Sequence, residues 1–182
     1  MPMKNILYLV YLIFFSLFAP SSYSATTEEA YSIIRNGNPE EGYRMLLVLA
    51  DKNNDPRAFY GIALLFKEGW GVSKDDKTAI EYYKKAANLD HTRAMFDLGT
   101  FYQNGLLVEQ NYNKAILWYE KAANKGYAAA MYGLGGLYFN GLGVKKDPDK
   151  GTMWFTKAAK IGFEPAIEFL DAVNNLGIPS EN

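Results

Sequence analysis

The sequence predicts an all-α fold, an α-solenoid of stacked antiparallel helix hairpins, and three observations predict it. Ala58, Ala94, Ala130 and Ala166 stand 36 residues apart, a period typical of stacked structural units. Within each interval the apolar residues keep helical spacing: Ala94, Leu98, Phe101 and Tyr102 recur at separations of three and four and draw one stripe, where a strand would alternate. Gly69, Gly105 and Gly141 come after each stripe, where a helix ends in a left-handed residue.

The chain opens with a signature of export. Lys4 supplies a positive start, Ile6 to Phe18 is apolar apart from Ser16, and Pro20 interrupts the chain beyond it. Those 13 residues fall short of the roughly 20 that cross a bilayer as a helix. Ser22 and Ser24 occupy the positions a signal peptidase reads, so cleavage is expected before Ala25, with a periplasmic or secreted product and no stable membrane insertion afterwards. An uncleaved anchor is the competing reading. The expected organisation is a signal peptide (1–24), a degenerate N-terminal unit (25–57), three full units (58–93, 94–129 and 130–165), and a C-terminal capping helix with its tail (166–182).

In the full units the first helix carries Ile62, Leu98 and Leu134, then the small residues Ala63, Gly99 and Gly135. Glycine inside a helix costs about 1 kcal/mol relative to alanine, so close helix crossing must account for it. The loop ends at Asp75, Asn111 or Asp147, all suited to N-capping, with Pro148 at a first helical position. The second helix repeats Tyr82, Trp118 and Trp154, expected to fill the space between hairpins, then Lys85, Lys121 and Lys157 and paired alanines. Asn38 and Pro39 mimic the cap in the degenerate unit. Gly177 and Pro179 close the final helix, which starts near Ala166.

The series Ala94, Leu98, Gly99, Tyr102, Gly105, Val108, Lys114, Ala115, Trp118, Tyr119, Lys121, Ala122, Ala123, Gly126 resembles the Sel1-like repeat, and the likeness runs from Ala58 to about Phe163. Ala63, Leu107 and Gly151 depart from the pattern. The resemblance implies a right-handed, tetratricopeptide-like α-solenoid serving as a scaffold or adaptor for protein partners, with exported bacterial members tied to envelope regulation or host interaction.

Composition removes several function classes. Nineteen Lys and Arg against twenty Asp and Glu leave no dense basic stripe, so nucleic acid is not an expected partner. With no cysteine and one histidine, thiol catalysis and a multi-imidazole metal site are excluded. His91 reads as a partly buried ring ending a second helix. Asp75, Asp76, Asp147 and Asp149 read as caps and dipole partners at helix starts, without the further ligands of a calcium loop. Gly133, Gly135 and Gly136 lie within a helix, not ahead of one as a phosphate loop requires. Neither catalytic residues nor a cofactor or metal is expected.

Binding residues are sought where the units differ, on the first helices that line the concave side. Tyr60, Phe96 and Tyr132 share a slot better explained by packing between units. Asp97 stands against Gly61 and Gly133, and Phe139 against Lys67 and Gln103; Phe139 is the better candidate anchor. Trp70, Leu106 and Leu142 come directly after the terminating glycines and form either an exposed apolar row or a set tucked against neighbouring loops. The leading expectation is a protein-binding scaffold; a carbohydrate- or peptidoglycan-binding module is the alternative.

Overall fold

The structure, a computed structural model, describes residues 26–175. The expected signal peptide, Gly177 and Pro179 lie outside these residues. Among the described residues nine helices succeed one another: α1 (Thr27–Arg35), α2 (Pro39–Asn53), α3 (Pro56–Glu68), α4 (Asp76–Asn88), α5 (Thr92–Asn104), α6 (Tyr112–Asn124), α7 (Ala128–Asn140), α8 (Pro148–Lys160) and α9 (Glu164–Asn175). There is no strand among the described residues. Each helix packs on its neighbours in the chain, and α1 touches α3 as α5 touches α7. The architecture is therefore an α-solenoid of stacked hairpins closed by a single helix.

Each turn satisfies its own backbone in the same way. Gly69, Gly105 and Gly141 end α3, α5 and α7 with φ of 73°, 68° and 71°. The amide N–H groups of Asp75, Asn111 and Asp147 then donate back to the carbonyls of Phe66, Tyr102 and Tyr138. The side chains of the same three residues accept from the first turns of α4, α6 and α8, leaving fewer orphan donors at each helix start.

The small residues in the first helices mark where the hairpins close. A Cβ on Gly99 would lie 2.5 Å from the Tyr119 ring, and one on Gly135 would lie 2.5 Å from the Phe155 ring. Leu98 and Leu134 are fully buried beside them, each stabilising the fold by about 2 kcal/mol.

Rings at 36-residue intervals bridge successive hairpins. Tyr60 stacks on His91 at 4.5 Å, Phe96 meets Tyr127 at 5.2 Å, and Tyr132 meets Phe163 at 5.6 Å. Tyr82, expected between hairpins, stacks on Phe59 and Phe66 of its own hairpin and also packs against both core clusters, N-terminal and central. The ammonium groups of Lys85, Lys121 and Lys157 sit over Tyr82, Trp118 and Trp154 at 4.6, 4.2 and 4.1 Å, which gives the repeated lysines a cation–π role. His91 does not end a second helix. Asp90 turns left-handed at φ 67°, and His91 then caps α5, its Nδ1 accepting from the Ala94 N–H at 3.2 Å.

Candidate functional site

A groove of about 480 Å³ crosses the first helices of the N-terminal hairpins, a size typical of ligand sites. Tyr31 and Ile34 from α1, Leu64 from α3, and Trp70 from the loop after α3 form its apolar wall. Trp70 is 56% exposed. The groove is also lined by Arg35 at the end of α1, Arg57 in the first turn of α3 and Arg93 in the first turn of α5.

The carboxylates that hold Arg57 and Arg93 lie around and beneath them. Asp97 has 14% of its side chain exposed and accepts both the Tyr60 hydroxyl at 2.9 Å and Arg93 Nε at 3.0 Å, while the Arg93 side chain stays 56% exposed. Arg93 Nη1 also donates to the Tyr127 hydroxyl at 3.3 Å. Asp55, 16% exposed, lies 3.6 Å from Arg57 Nε, and Arg57 also pairs with Glu28. Burial pushes the Asp55 carboxyl up, but hydrogen bonds from Thr27 and from the Arg57 backbone outweigh it and hold the group below its ordinary range.

The tyrosine hydroxyls are committed as well. Tyr31 donates to the Arg57 carbonyl at 2.6 Å, and burial, aided by Asp55, pushes its pKa up to about 12. Burial and then Asp97 raise Tyr60 further. Burial lowers His91 below its ordinary value, with Asp97 and Asp55 opposing and Arg57 and Arg93 reinforcing.

Among the residues picked out from sequence, Tyr60 and Trp70 line the groove, and Asp97 lies beneath it, locking Tyr60 and Arg93. Phe96 packs on Tyr119 and Tyr127, and Tyr132 on Phe155 and Phe163, as inter-unit packing requires. Phe139, expected to be open, is half-buried against Phe169 of α9 at 5.5 Å, because the capping helix covers it. The loop row is divided: Leu106 is exposed like Trp70, whereas Leu142 is tucked against the central core. Sequence reasoning missed the arginines. Their signal was compositional, since three of the four arginines in the chain line this groove and none of the described lysines does.

Of the carboxylates at the helix starts, Asp75 and Asp147 are occupied by capping, while Asp76 lies 3.7 Å from Lys74 Nζ. Asp75 accepts from the Lys77 and Thr78 N–H groups and from the Thr78 hydroxyl, and Asp147 accepts from the Lys150 N–H at 2.9 Å. Among the described residues no group of three His, Cys, Asp or Glu is placed to hold a metal ion, and no helix is long and apolar enough to cross a membrane.

A Sel1 repeat model matches residues 56–91, 92–127 and 128–163, each two residues earlier than the phase set by the alanines. A Sel1 repeat protein from Oxalobacter formigenes is 31% identical with a TM-score of 0.79, the match covering 96% of this chain and 75% of that one. A protective antigen present in uropathogenic Escherichia coli strains, displaying an SLR fold, is 27% identical with a TM-score of 0.66 over 85% of this chain and 29% of its own length. The cysteine rich protein B of Helicobacter pylori shares the fold at 23% identity and a TM-score of 0.53, over 79% of this chain and 96% of that one. Comparison with curated proteins returns no match. Three matched units in tandem, stacked as hairpins whose turns are closed by the same residues, make this chain a member of the Sel1 repeat family.

Proposed function

We propose that this chain is a non-enzymatic scaffold that holds a protein partner on the concave side of its N-terminal hairpins, after export to the periplasm or beyond the cell. Its family is commonly a protein-interaction scaffold. The observation that carries the reading is the open groove with Trp70 and three guanidinium groups on its surface. Aromatic and arginine side chains dominate interface energies.

Carbohydrate stacking fits the groove less well. The Tyr60 ring already stacks on His91, and the hydroxyls of Tyr31 and Tyr60 are given to the Arg57 carbonyl and Asp97. The non-enzymatic reading draws on Asp75 and Asp147, which cap helices, and on Asp55 and Asp97, which hold arginines. Export rests on Lys4, the apolar stretch from Ile6 to Phe18, and Ser22 and Ser24. A role in host interaction or envelope regulation is in keeping with the protective antigen among the similar structures.

Two measurements test the reading. Mass spectrometry of the protein recovered from fractionated cells should find an N-terminus at Ala25 outside the cytoplasm; an intact N-terminus in the cytosol would remove the export claim. Cross-linking in the same cells should capture a protein partner with the wild type and far less of it with Trp70→Ala. Equal capture by both would remove the groove from the reading.

A further inference from the structure

We infer that the groove between α1, α3 and α5 takes an extended peptide segment in which acidic residues flank an aromatic or aliphatic side chain. The inference rests on the scaffold reading above and names the chemistry of the partner.

The arrangement of charge selects an anion. Arg35, Arg57 and Arg93 come from three different hairpins yet line one groove, in a chain whose formal net charge is only −1. A guanidinium carries five N–H donors. Arg93 spends Nε and Nη1 within the protein, and Arg57 is likewise held through Nε and Nη1. Neither guanidinium has a partner for Nη2 among the described residues. Arg35 makes no ion pair among the described residues. Its place in the last turn of α1 complements the helix dipole without satisfying its donors.

The choice of cation selects a carboxylate. All the charged residues lining the groove are arginines, although lysines outnumber arginines in the chain. The planar fork of arginine matches a carboxylate with two parallel hydrogen bonds, which an ammonium cannot do. The protein itself fills neighbouring positions with carboxylates: Glu28 and Asp55 on Arg57, and Asp97 on Arg93.

The apolar wall selects a peptide over a small anion or a polyanion. Ile34, Leu64 and the exposed face of Trp70 stand beside the cations. Only a ligand that alternates acidic and apolar groups over a short distance satisfies both halves of the groove. An extended peptide does so, because successive side chains leave the backbone in opposite directions.

Selection of a random-peptide phage library on the full chain tests this directly. The recovered peptides should be enriched in Asp and Glu next to Leu, Phe or Trp. A synthetic peptide of the enriched sequence, monitored by fluorescence polarisation, should lose at least about tenfold in affinity on Arg35→Gln, the loss expected for one charge-assisted contact, and at least as much on Trp70→Ala, the loss of one aromatic anchor. Replacing the enriched acidic residues by Lys should abolish binding to the wild type and restore part of it to Arg35→Glu. Circular dichroism controls the fold, and Arg35→Gln carries the test if Trp70→Ala proves unstable. Enrichment of neutral or basic peptides, or acidic peptides that bind both variants as tightly as the wild type, would overturn the inference and leave the scaffold reading standing. Recovery of no peptide, with the protein instead sedimenting with purified peptidoglycan, would overturn both.

Discussion

Asp97 shows how one residue organises several others. Its carboxylate holds the Tyr60 hydroxyl and Arg93 Nε together, so a position that varies between otherwise matching units sets the direction of a cation at the groove. Its variability was legible in sequence; its role was not, because Tyr60 and Arg93 come from different hairpins. Trp70 was legible as a candidate because it directly follows a helix-ending glycine, although its exposure was not, since tucking against the neighbouring loop fitted the sequence equally well. Trp70→Ala should shift thermal stability by no more than about 0.5 kcal/mol, as at other open surface positions, while weakening partner capture; a large fall in melting temperature would show the ring to be structural. His91 is the only histidine, and its Nδ1 must stay unprotonated to accept from the Ala94 N–H. Because its folded pKa lies below its ordinary value of 6.5, the unfolded imidazole takes up a proton first. The stability it contributes is therefore complete above that value and is lost as pH falls below it. Melting curves between neutral and mildly acidic pH should decline in the wild type and flatten in His91→Asn.

At the scale of the element, helix phase and turn chemistry were readable because each rests on local rules. Gly69, Gly105 and Gly141 had to be left-handed, and Asp75, Asn111 and Asp147 had to cap. His91 was misplaced because the turn before it, which uses Gly126 and Gly162 in the later units, uses Asp90 here at φ 67°. A non-glycine residue hid the break. The interior glycines of the first helices separate two effects that sequence alone confounds. Gly99→Ala and Gly135→Ala gain about 1 kcal/mol of helix propensity but drive a methyl into Tyr119 or Phe155, an overpacking that costs about 1 to 3 kcal/mol, so both should lower the urea midpoint. Gly136 in the same helix has nothing within 4 Å of an added Cβ. Gly136→Ala should stabilise the fold by up to about 1 kcal/mol and raise the midpoint accordingly; destabilisation there would contradict the packing described.

The whole molecule is a series of nearest-neighbour contacts, and its stability should behave as such. α9 closes the series by laying Phe169 on Phe139 and Phe155, at 5.5 and 4.2 Å. Ending the chain after Phe163 should uncover those rings, lower the urea midpoint and produce self-association on size-exclusion chromatography, whereas Phe169→Ala in the full chain should cost about 2 kcal/mol, less than a fully buried ring. The order of the stack could be read from the period of 36 residues. The groove could not, because it depends on which side chains of separate hairpins converge. No residue lining it lies beyond Arg93. Additional modules spliced in after α6 would therefore extend the rod and carry its far end outward while the grip at the head stayed unaltered, so this design separates how far the protein spans from what it grasps.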